Sequence, residues 1–68
     1  MADERKLEQL EVEMDATYNV WIRWRNTVDE AVLRNMNANR VNVLTSRMNG
    51  AWANYAAALI AWHNEATS

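Results

Sequence analysis

Residues Ala51–Trp62, AWANYAAALIAW, decide the reading of this chain: twelve residues in which Asn54 is the one strongly polar side chain, with a tryptophan near one end and another at the other. Wound at about 100° per residue, the segment and its flanks put Leu44, Met48, Ala51, Trp52, Tyr55, Leu59, Trp62 and Ala66 on one face. Steps of three and four residues make that face the apolar stripe of an amphipathic helix. The opposite face carries Gly50, Ala53, Ala57 and Ala61, where a surface helix ordinarily shows charge. Alanine is the best helix former and can simply fill exposed positions. A smooth ridge without charge, flanked by Ile60, also suits close packing by a further helix.

Upstream, the same periodicity runs through Leu7, Leu10, Met14, Thr17/Tyr18, Trp21, Trp24, Val28, Ala31/Val32 and Asn35/Met36. Its heptad spacing holds for four repeats with Thr17 as the one polar break, which predicts a coiled-coil-like seam. Asp3 is the expected N-cap, with acids in the first turn where the helix dipole favours them. Two places could interrupt this helix: the weak helix formers of Asp15–Asn19, and Thr27-Val-Asp-Glu30, which matches a capping box. The apolar phase passes through both, so one helix is expected rather than two.

Four asparagines between Asn35 and Asn42 mark the turn, because Asn tolerates the left-handed backbone that ends a helix and caps the one that follows. The expected fold is all-α, a hairpin of two long antiparallel helices: helix 1 over about 3–36, a turn at about 37–39, and helix 2 over about 40–66 in a single domain spanning 1–68. Asn39 or Asn42 is the expected second N-cap. A turn centred near Ala38 pairs Val32 with Leu44, Val28 with Met48, Trp24 with Trp52, Trp21 with Tyr55 and Met14 with Trp62. The expected hairpin core is thus Met14, Tyr18, Trp21, Trp24, Val28, Val32, Leu44, Met48, Trp52, Tyr55, Leu59 and Trp62. In this register helix 1 overhangs, and Leu7 has nothing opposite it.

The 68 residues include one glycine, no proline and no cysteine. A chain this small buries only about 60% of its unfolded surface, and small scaffolds of this kind rely on disulfides, metal or association. Without cysteine and with one histidine, neither a disulfide framework nor a structural zinc site is expected. Association remains, and the apolar residues the hairpin leaves uncovered name its surface: Leu7 and Leu10 in the overhang, Ile22 and Leu33 off the stripe, and Gly50, Ala53, Ala57, Ile60 and Ala61 on and beside the ridge are the expected protein interface. Self-association or a partner protein would complete the hairpin into a bundle.

Chemistry-bearing patterns are scarce. No HExxH, GxGxxG, P-loop or paired-cysteine motif occurs, so no catalytic residue, metal site or cofactor is expected. His63 is expected at the core border near the end of helix 2. Glu4, Glu8, Glu11 and Asp15 share one face at steps of four, three and four. They are expected to be a solvated face; the alternative is an acidic strip with which a small inhibitor or regulator docks on a basic surface. Arg34, Arg40 and Arg47 gather at the turn, where they can pair with Asp29, Glu30 and the last carbonyls of helix 1 or grip an acidic partner. A net charge of −2 argues against nucleic acid. The first ten residues are charged and lack the apolar core of a secretory signal. No apolar run approaches the roughly 20 residues of a membrane span, and an interfacial membrane helix would carry more Lys and Arg on its polar face. A cytoplasmic, non-enzymatic interaction protein is the expectation.

Overall fold

The computed structural model describes residues 3–68, and over these the chain is an all-α helical hairpin. Helix α1 spans Glu4–Leu33 and α2 spans Ala38–Thr67, thirty residues each. Asp3 caps α1: its carboxylate accepts from the backbone N–H of Arg5 at 3.0 Å and of Lys6 at 3.5 Å, satisfying donors that a helix start leaves unpaired. The two suspected interruptions do not act. Thr27 Oγ1 donates to the Arg23 carbonyl at 2.8 Å instead of capping a new helix. Thr17 Oγ1 donates to the carbonyls of Glu13 and Met14 at 2.8 and 3.0 Å. Both hydroxyls are satisfied within the turn that precedes them, so the helix runs through.

The turn comes earlier than the sequence predicts, at residues 34–37. Asn35 adopts a left-handed φ of 54°. Its N–H bonds the Val32 carbonyl, and the N–H of Met36 reaches back to Ala31, both at 3.1 Å. This pair of bonds is the Schellman closure of a helix C-terminus. Asn37 then caps α2, its side chain accepting from Asn39 N–H at 2.8 Å and Arg40 N–H at 3.3 Å. Asn39 and Asn42, the expected caps, lie inside α2. Glycine is the residue best suited to the Asn35 conformation, so Asn35→Gly is expected to raise stability by a few tenths of a kcal/mol up to about 1. Asn35→Val is expected to lower it by about 1–2 kcal/mol through strain at positive φ. Urea titration of the three proteins compares them directly.

Moving the turn shifts the register by about three residues. Trp21, not Trp24, packs against Trp52, with ring centroids 4.8 Å apart, and Tyr18 meets Tyr55 at 5.3 Å. The expected Trp24–Trp52 and Trp21–Tyr55 pairs are corrected accordingly. The helices also end level. Lys6 Nζ lies 3.3 Å from Glu65 Oε2, and the Asp3 N–H donates to Glu65 Oε1 at 3.3 Å. Helix α1 therefore does not overhang, and Leu7 is half-buried.

The result is a rod. Its Cα envelope measures 51 × 13 × 11 Å and its radius of gyration is 15.4 Å, against about 11 Å for a compact domain of this length. Only Ala31, at 2% exposure, and Ala51, at 6%, are buried among the described residues. Along the seam Met14, Trp21, Trp24, Val28, Leu44, Met48, Tyr55 and Trp62 are half-buried. Tyr18, Val32, Trp52 and Leu59, expected in the core, are exposed. Two helices touch along one line, and a side chain well to either side of that line has nothing over it. The buried indole N–H of Trp62 has no acceptor, which costs about 1–3 kcal/mol.

Candidate functional site

The seam divides the hairpin surface into two flanks, each built from both helices. On the first, four rings form one cluster. Tyr18 and Trp21 are 5.8 Å apart, Trp21 and Trp52 4.8 Å, Trp52 and Tyr55 5.5 Å, and Tyr18 and Tyr55 5.3 Å. All four contacts are tilted or edge-on, the geometry ring quadrupoles favour. The guanidinium of Arg25 lies 5.7 Å from the Trp21 ring, a cation–π contact. Trp21 and Tyr55 are half-buried beneath, while Tyr18 and Trp52 remain 43% and 47% exposed. Helical phase continues this flank to Ile22 on α1 and to Leu59 on α2. Ile22 is half-buried and Leu59 exposed.

The second flank is an open groove between the helices. Near the turn it holds about 560 Å³, lined by Trp24, Thr27, Asn39, Arg40, Val43, Leu44 and Arg47. It continues along Ala16, Thr17, Val20, Ala51 and Asn54, then along Glu13, Ala57, Ala58 and Ala61. Along these last two stretches, small residues from both helices leave the space.

The expected interface residues are spread over several surfaces rather than gathered in one. Leu7, Leu10 and Ile22 are half-buried in the hairpin itself; Leu33, at the end of α1, is 82% exposed. The Gly50–Ala53–Ala57–Ala61 ridge is divided. Ala57 and Ala61 line the groove, whereas a Cβ added at Gly50 meets nothing within 4 Å. Gly50, Ala53 and Ile60 are exposed. Gly50→Ala is therefore expected to stabilise the hairpin by about 0.8–1 kcal/mol through helix propensity alone, read as a higher urea midpoint with an unchanged slope. A destabilised protein would instead show that a further helix sits on that spot.

The turn arginines make different contacts. Arg34 Nη2 pairs with Glu30 Oε1 at 2.7 Å, Arg47 lies 5.6 Å over the Trp24 ring, and Arg40 borders the groove. Glu4, Glu8, Glu11 and Asp15 are all exposed, and so is His63, which stands off the core border where it was expected. Among the described residues no three His, Cys, Asp or Glu side chains are grouped to hold a metal ion, and no helix is long and apolar enough to cross a membrane.

No family model, curated protein or solved structure matches this chain. What the surface can do rests on its own geometry. The sequence pattern did not single out Val12, Val20 and Val43, which are 68%, 44% and 54% exposed. Val20 and Val43 lie just beside the stripes, so a wider apolar arc would have included them; Val12 lies on the back of α1, where periodicity carries no signal.

Proposed function

We propose that this chain is a non-enzymatic protein–protein interaction module, a small assembly subunit or adaptor. It folds as a hairpin and is completed into a bundle by copies of itself or by a larger complex. One observation carries this reading: the hairpin leaves its best anchors uncovered. Trp52 and Tyr18 are nearly half exposed, with Val32 at 56%, Ile60 at 60% and Leu33 at 82%. Tryptophan and tyrosine are the residues that most often dominate binding energy at interfaces.

The accessible surface supports the same reading. It is 5268 Å² for a chain of 7.9 kDa, where a compact monomer of that mass exposes about 4,400 Å².

Thermal melts followed by circular dichroism over a hundredfold range of concentration test the proposal. Where association with copies supplies the stability, the midpoint rises by roughly 3–5 °C per tenfold in concentration. Where an outside partner supplies it, the free chain melts low at every concentration. A single-copy species that melts cooperatively at high temperature overturns the proposal.

A further inference from the structure

We propose that the occupant of the aromatic flank is a second copy of this chain, docked antiparallel about a two-fold axis at the level of Val20. This inference rests on the interaction-module reading and deepens it. Its basis is a self-complementary stripe on α1. Asp15, Tyr18, Ile22 and Arg25 follow one another at steps of three, four and three, which places them within an arc of about 80°. The structure locates that arc on the aromatic flank, since Tyr18 and Arg25 both lie against the Trp21 ring.

The order acid, aromatic, aliphatic, base is its own complement when reversed. A two-fold axis midway between Tyr18 and Ile22 sets Tyr18 of each copy against Ile22 of the other. It also sets each Asp15 beside the other copy's Arg25, which is the self-complementarity an isologous interface requires. Trp52, packed against Trp21, lies next to the axis, where interface anchors concentrate. The parallel arrangement instead brings every side chain to the level of its own copy, so that Glu11, Asp15 and Arg25 each meet a like charge. In the antiparallel dimer the two acidic ends lie at opposite ends of a rod 51 Å long. One mismatch remains: Glu11 and Asp29, also equidistant from the axis and both exposed, come to the same level.

Size agrees. The hairpin exposes about 850 Å² more than a compact monomer of its mass, close to the roughly 800 Å² that each partner buries in a standard interface.

Sedimentation equilibrium of the full chain tests this with exposed charges whose replacement leaves the hairpin folded, as circular dichroism would verify. The wild type is expected to weigh two copies. Asp15→Arg and Arg25→Asp are each expected to weaken the dimer about tenfold, because symmetry applies each reversal twice. The double variant Asp15→Arg/Arg25→Asp is expected to recover most of that loss, and Asp29→Arg to tighten the dimer by relieving the mismatch with Glu11. A double variant weaker than either single one overturns the geometry. A dimer indifferent to these charges but lost in Ala57→Glu places the interface in the groove, overturning this inference while the interaction-module reading stands. A low-melting monomer refutes the second copy and leaves that reading with an outside partner; a high-melting monomer ends both.

Discussion

Trp21→Ala is expected to remove most of the stability of the hairpin. Trp21 makes the closer of the two ring contacts that join the aromatic cluster across the helices. It touches Tyr18 on its own helix and Trp52 on the other, and it carries the Arg25 guanidinium on its face. Truncating a buried tryptophan costs about 3–5 kcal/mol. Trp21 is half-buried, which brings the expected loss to about 2–4 kcal/mol. A chain of this size has only a few kcal/mol in hand, so the variant is expected to be largely unfolded at micromolar concentration. Trp21→Phe keeps a ring against Trp52 and is expected to recover about half of the loss. Urea titrations followed by circular dichroism measure both. Should Trp21→Ala unfold at the wild-type urea concentration, the ring cluster is a surface ornament and the seam is held elsewhere.

The second large effect is expected at the smallest buried side chains. Ala31 and Ala51 are the two buried side chains among the described residues, with 2% and 6% exposure. Leucine at either place adds three carbons against the facing helix, with only the open groove beside it to receive them, and overpacking of this kind costs about 1–3 kcal/mol. Here the strain has one outlet, since a pair of helices can splay. Ala51→Leu is therefore expected to loosen the Trp21–Trp52 contact as well, seen as a shift in tryptophan fluorescence together with a lower urea midpoint. Ala53→Leu, two residues away on the exposed side, is expected to change stability by less than about 0.5 kcal/mol. Equal effects at Ala51 and Ala53 would show that the interhelical distance is not set by alanine.

These expectations also measure how far periodicity reaches. The stripe through Leu7, Met14, Trp21 and Val28, and its counterpart through Leu44, Met48, Tyr55 and Trp62, are legible in the sequence, because apolar residues at steps of three and four can share a face only in a helix. Periodicity does not distinguish the centre of a stripe from its edge when the number of packed helices is unknown. That is why Tyr18, Val32, Trp52 and Leu59 read as core and stand exposed. In a bundle of four helices the same residues would face a neighbour. The candidate interaction surface was therefore legible as surplus apolar residues, but its division into an aromatic flank and a groove was not.

Two amphipathic helices joined at an asparagine-rich turn follow from the order of residues alone. That information is local: apolar spacing, the Asp3 cap, and the lack of proline. Packing between the helices selects where within Asn35–Asn42 the chain reverses, and with it which rings meet. Four asparagines offer nearly equivalent turn chemistry, so local preference leaves several registers close in energy. The choice fell on Asn35 as terminator and Asn37 as cap. That register lets Trp21 pack against Trp52 while Lys6 reaches Glu65 at the far end. Contacts 31 and 59 residues apart in the chain are invisible to any window along it.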